Sequence, residues 1–102
     1  MSLMVNATNN TESKVWEFSL AGEIDISNAD GFKTKLEDAM ADTKQDITVD
    51  LSELNYIDST GLGVIIGIYS VIKKDGYSIK VLNPRDNVRK LLAISGLDKI
   101  LC

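Results

Sequence analysis

The chain has 102 residues, with 11 Lys and Arg against 15 Asp and Glu, a formal charge of −4, 44% hydrophobic and 25% charged residues. Those proportions belong to a folded chain with one core, not to a disordered one. Without histidine no Ser-His-Asp or Cys-His centre can be assembled within the chain, and a lone cysteine, Cys102, supports neither a disulfide framework nor a thiolate zinc cluster. The acidic balance speaks against non-specific nucleic-acid binding, which needs a basic stripe to displace counterions.

Residues 1–10 carry no basic region and no sustained apolar run, so no secretory signal is read there. Met1-Ser2-Leu3 ahead of a second methionine, Met4, has the look of a cloning remnant. Met4 to Asn9 is polar, with an antiparallel edge strand as one option. Lys14 to Ala21 alternates polar and apolar around Val15, Trp16, Phe18 and Leu20, as a half-buried strand does. Gly22 ends it, Glu23-Ile24-Asp25-Ile26 forms an acidic turn, and Ser27 or Asn28 caps a helix. In that helix Phe32, Leu36, Ala39 and Met40 make an amphipathic stripe.

Asp46 to Leu51 reads as a second strand, with Ile47, Val49 and Leu51 on one face, and Ser52 to Ile57 as a loop. A helix starts near Asp58-Ser59-Thr60 and runs to about Lys74, with Gly76 as its stop signal. Its densest apolar run, Leu62 to Ile72, is well short of the roughly 20 residues a membrane span needs. Tyr77 to Leu82 is a third strand. Asn83-Pro84 reads as the start of a helix lined by Val88, Leu91, Leu92 and Ser95 and closed by Gly96, ahead of a short element from Leu97 to Leu101. Alternating strands and helices imply an α/β fold with a largely parallel sheet.

Local rules bend at Asp58-Ser59-Thr60-Gly61-Leu62-Gly63-Val64. Glycine inside a helix costs about 0.5–1 kcal/mol relative to alanine, yet this helix carries Gly61, Gly63 and Gly67. Such tolerance implies a close backbone approach, to the sheet or to another molecule. Leu62, Ile65, Ile66, Tyr69 and Ile72 form a stripe expected to face the sheet. Val64, Ile68 and Val71 form a second one, expected to lie under the helix after Pro84 or under a partner. The hydroxyls of Ser59 and Thr60 stand where helix caps do, and capping is their plain reading. A nucleophilic serine is a poor fit, for want of a histidine and of the glycine two residues earlier. A phosphate on Ser59 would add about −1.5 to −2 charge at an exposed helix start. Gly61-x-Gly63-x-x-x-Gly67 misses dinucleotide-binding spacing by one residue, so neither a cofactor nor a metal is expected.

The run Asp58 to Val64, preceded by Leu51-Ser52-x-Leu54-x-Tyr56-Ile57, resembles the core motif of bacterial anti-sigma-factor antagonists, the STAS domain family. Gly22-Glu23-Ile24-Asp25, Asn83-Pro84 and Ser95-Gly96-Leu97-Asp98-Lys99-Ile100 extend the match, which covers about Val15 to Leu101 within one domain spanning 1–102. The resemblance implies a mixed sheet of four to five strands with helices packed mainly on one face. It also implies partner switching by a cytoplasmic, non-enzymatic protein, monomeric when free, that acts in stress response or sporulation. The unmodified antagonist binds an anti-sigma factor that is a serine kinase, frees the sigma factor, and is released when that kinase phosphorylates Ser59 (Thr60 being the lesser candidate). A serine phosphatase resets it. The surface expected to meet the partner comprises Glu23, Asp25, Asp58, Ser59, Thr60, Gly61, Leu62, Gly63 and Gly67. The rival reading is a constitutive STAS subunit of a stress-signalling or lipid-transport complex, with Ser59 only a helix cap.

Overall fold

A computed structural model describes residues 2–101; Met1 and Cys102 lie outside the described residues. Strands β1 (Leu3–Asn10), β2 (Val15–Ile24), β3 (Asp46–Ile57) and β4 (Ile79–Leu82) alternate with helices α1 (Ala29–Asp42), α2 (Ser59–Lys73), α3 (Asp86–Ile94) and α4 (Asp98–Leu101) after the first hairpin. The sheet order is β1-β2-β3-β4, with β1 antiparallel to β2 and the other neighbours parallel. The N-terminal stretch is therefore an antiparallel edge strand. Ser2, just ahead of it, extends the pairing, its carbonyl accepting from Glu23 N at 2.9 Å.

Phe18, Leu20, Ile47, Val49, Ile79 and Val81 bury one face of the sheet together with Phe32 and Leu36 of α1, Ile65 and Ile72 of α2, and Val88 and Leu92 of α3. Phe18 and Phe32 meet edge to face, centroids 6.4 Å apart. On the opposite side Asn6, Thr8, Glu17, Ser19, Thr48 and Asp50 line a shallow polar surface.

β2 does not stop at Gly22. It continues to Ile24, and Gly22 holds φ +104° inside it. A Cβ there would lie 2.3 Å from the Ser2 carbonyl oxygen, so close pairing with β1 and the positive φ both demand glycine. Nor is Ser52 to Ile57 a loop. β3 runs through it with two bulges, Ser19↔Asp50 giving way to Ala21↔Glu53, and Gly22↔Leu54 to Glu23↔Tyr56. Each time β3 carries one residue more than β2. The side-chain phase slips accordingly, and Leu51, Leu54 and Ile57 are all buried at a spacing of three instead of two.

The bulged half is strapped to the start of α3: Arg85 Nε donates to the Ser52 carbonyl at 2.8 Å, and Asn87 Nδ2 to the Asn55 carbonyl at 2.6 Å. That helix begins at Asp86 with Arg85 in the cap position, not at Asn83-Pro84, because Asn83 sits at φ +53° in a turn. Only Val88 and Leu92 of its stripe are buried; Leu91 is partly exposed, and Ser95, itself exposed, donates its hydroxyl to the Leu91 carbonyl. The final strand is shorter than read, starting at Ile79. The buried line of α2 runs through Gly61, Ile65, Ile68 and Ile72, mixing the two expected stripes. Its main helical neighbour is α1, while Val71 stays exposed.

Candidate functional site

Because β2 and β3 are parallel, their C-terminal ends lie side by side: Ile24 is the register partner of Ile57, and Asp58 N donates to the Ile24 carbonyl at 3.2 Å. The two turns beyond these strand ends share one chemistry. In the first, Asp25 Oδ1 accepts from Ser27 N at 2.9 Å and from the Ser27 hydroxyl. In the second, Asp58 Oδ1 accepts from Thr60 N at 3.0 Å, from Gly61 N at 3.1 Å and from the Thr60 hydroxyl. Each is an Asp-x-Ser/Thr turn, and the middle residue of each, Ile26 and Ser59, is exposed to solvent.

Donated hydrogen bonds favour a charged carboxylate. Asp58 is held below the usual carboxylate range first by the Thr60 hydroxyl, then by the Gly61 N–H, with smaller help from the Thr60 and Ile26 N–H groups. Asp25 is lowered chiefly by the Ser27 hydroxyl, against a small opposing push from the negative charge of Asp58. Both are ionised at neutral pH.

Asp58, not Ser59, is the cap of α2. Ser59 is exposed, and its hydroxyl makes no hydrogen bond among the described residues. The Thr60 hydroxyl is committed to Asp58. Asn28, expected as a possible cap of α1, makes no side-chain cap bond. Its amide instead spans the first turn, accepting from Asp25 N and donating to the Glu23 carbonyl, both at 3.0 Å.

Of the residues expected to meet a partner, Glu23, Asp25, Asp58, Ser59, Thr60 and Leu62 gather at this end of the sheet. Gly61 does not qualify. It is buried, and an added Cβ would lie 2.6 Å from Ile24 Cγ2 and 2.8 Å from Ile57 Cγ1, so its lack of a side chain serves the seating of α2 on the two strand ends. Gly63 and Gly67 are exposed with open space beside them. They lie four and eight residues beyond Ser59 and continue its flank as a strip of bare helix.

The structure adds three residues to this surface. Tyr56 and Leu91 line a shallow cleft together with Ile57, Asp58, Ser59 and Leu62. Ile26, 79% exposed, stands on the adjoining turn. Tyr56 falls in the segment that the sequence presents as a loop, and Leu91 in a stripe that it presents as core. The signal for Ile26 is an isoleucine inside a turn whose Asp25 and Ser27 are both polar.

Residues 6–101 match the family model described as STAS domain. The anti-sigma-B factor antagonist of Bacillus subtilis is 36% identical over 85 residues, covering 83% of this chain and 77% of that protein. In fold, the chain is similar to the unphosphorylated anti-sigma factor antagonist SpoIIAA, with TM-score 0.86 and 23% identity over 97% of this chain and 86% of that one. It is also similar to Bacillus SpoIIAA in its phosphorylated form, with TM-score 0.77 and 22% identity over 97% and 89%. This chain belongs to the STAS domain family.

Proposed function

We propose that this STAS domain is an anti-sigma-factor antagonist, a binding protein rather than an enzyme, whose docking on an anti-sigma factor is gated by reversible phosphorylation of Ser59. One observation carries the reading: between two engaged neighbours, Asp58 and Thr60, Ser59 is exposed and its hydroxyl makes no hydrogen bond among the described residues. An oxygen so placed is open to a kinase without unfolding any part of the helix start.

In the modification step Ser59 Oγ attacks the γ-phosphorus of ATP bound to the partner kinase. The new O–P bond replaces the bond to the ADP oxygen, and the hydroxyl proton passes to a base of the kinase. A phosphatase returns the serine by hydrolysis of the ester. The Thr60 and Gly61 N–H groups, which a phosphate at a helix start would otherwise use, are already held by Asp58. The added charge of about −1.5 to −2 therefore stays turned outward, beside an ionised carboxylate. Set about 6 Å from a facing acid, it costs about 1–5 kcal/mol for effective dielectrics between water and about 20. At about 1.4 kcal/mol per tenfold, a docked complex weakens by about one to three orders of magnitude. The strip at Gly63 and Gly67 and the cleft of Tyr56, Leu62 and Leu91 supply the apolar part of the contact.

The test uses an anti-sigma-factor kinase from the same cells with ATP. Intact mass gains one phosphate in the wild type and in Thr60→Ala, and none in Ser59→Ala. Ser59→Ala stays bound to the kinase with or without ATP, whereas Ser59→Asp binds about one to three orders of magnitude more weakly. No phosphate on Ser59, or equal affinity of the two variants, overturns the proposal.

A further inference from the structure

β3 loses one of its two strand neighbours halfway along. β4 pairs with it only from Ile47 to Asp50, and the rest of the strand, to Ile57, is laddered to β2 alone among the described residues. That remaining ladder is broken twice. Leu51 and Ser52 fill the place opposite Leu20 at the first bulge, and Asn55 is the extra residue between Gly22↔Leu54 and Glu23↔Tyr56 at the second. A strand bulged twice and paired on one side is poorly held by its own ladder, yet it leads straight into Asp58 and Ser59.

The start of α3 supplies what the ladder lacks, and it does so at the bulges. The Arg85 guanidinium forks across both, Nε donating to the Ser52 carbonyl at 2.8 Å and Nη1 to the Asn55 side-chain oxygen. Asn87 Nδ2 donates to the Asn55 carbonyl at 2.6 Å. Asn87 and Leu91 are four residues apart and share a face of α3, which the buried Val88 and Leu92 seat on the core. The face that straps Asn55 thus also carries Leu91 to the cleft beside Ser59, where Tyr56, the next residue after Asn55, forms another wall.

We infer that Arg85 and Asn87 are positioning residues for the Ser59 surface: by tying α3 to the bulge residues of β3 they hold Tyr56 and Leu91 at a fixed separation, so that the apolar cleft is formed before a partner arrives. The inference rests on the reading of that surface as the docking face for an anti-sigma factor. A partner side chain entering a preformed cleft does not have to order its walls, and the lower ordering cost appears as affinity. The strap bonds end at Ser52 and Asn55, short of the turn from Asp58 to Thr60. Arg85 and Asn87 therefore act on docking and not on phosphate transfer to the Ser59 hydroxyl.

Two measurements on the full chain test this. In the free protein, NMR order parameters of the Asn55, Tyr56 and Ile57 amides fall in Arg85→Ala and in Asn87→Ala. With an anti-sigma-factor kinase from the same cells, both variants dock about threefold to tenfold more weakly, and KM for the antagonist rises by the same factor while kcat at saturation is not lowered. Arg89→Ala removes an equal charge from the same helix, where the guanidinium reaches only the Pro84 carbonyl at 3.4 Å, and leaves docking unchanged. Where Arg85→Ala disturbs the fold, Asn87→Ala decides alone, with no change of charge. Order parameters unmoved by both substitutions, a lowered kcat, or an equal loss of docking in Arg89→Ala overturns the inference. The free-chain order parameters judge the strap whether or not Ser59 accepts phosphate, so failure of the phosphorylation reading is seen separately.

Discussion

Asp25-Ile26-Ser27 and Asp58-Ser59-Thr60 are the same turn built twice on neighbouring strand ends, and they differ in how each joins its helix. After Asp58 the helix starts at once, so the carboxylate that closes the turn also caps α2 through Gly61 N. After Asp25 the chain takes a further step through Asn28 before α1 begins, and the carboxylate closes its own turn without capping that helix. The first turn thus displays an apolar residue, Ile26, on a loop. The second displays a hydroxyl, Ser59, as the first residue of a rigid helix. A modifiable oxygen gains from the second arrangement, because the added charge is then held at a fixed place relative to the proposed docking surface.

The sharpest way to break the second turn while sparing the first lies beneath it. Gly61→Ala drives a methyl group into Ile24 and Ile57, and either those side chains or the start of α2 must move. The expected loss is about 1–3 kcal/mol in urea unfolding. Gly63→Ala and Gly67→Ala, in open space on the same helix, should each gain about 0.5–1 kcal/mol. If all three behave alike, the seating of α2 on the strand ends is not what glycine secures at 61.

The same contrast among glycines marks how far the fold is legible in the sequence. Three glycines in one helix announce a close approach, but only depth within the fold separates the buried Gly61 from the two bare positions. The α/β order and the boundaries of α2 are legible because they rest on local chemistry, namely period, caps and turn residues, whereas local rules read Ser59 only as a cap, a part that Asp58 takes, and it is the family resemblance that singles Ser59 out. The second half of β3 is not legible, since its two bulges replace the period of two with a period of three, and no local rule distinguishes that from a loop. The same bulges hide Tyr56. Leu91 is hidden differently: it keeps helical spacing with Val88, yet α3 rotates it toward the Ser59 cleft.

Removing each carboxylate in turn measures the next difference. Asp58→Ala deletes both a turn and a helix cap, leaving the Gly61 N–H at the start of α2 without its acceptor. Asp25→Ala deletes a turn whose carboxylate caps no helix, so its effect on the urea midpoint should be smaller, roughly half as large. Equal losses by chemical denaturation would mean that the two turns are equivalent and that capping contributes nothing at Asp58.

The smallest effect is electrical and tests whether the turns sense each other. Both carboxylates titrate below the ordinary range in the folded chain, so each contributes stability that is complete above the unfolded value of about 3.9 and lost as pH falls through the folded one. Asp58→Asn keeps a side chain able to cap, so stability at neutral pH changes little, while the loss below about pH 4 becomes shallower. The same substitution removes the negative charge that opposes ionisation of Asp25. The Asp25 titration, followed by carboxyl NMR, should then move further down. An upward shift, or none, would show that the two loops do not share a field. The docking proposed at the Ser59 turn would then respond to charge on that turn alone.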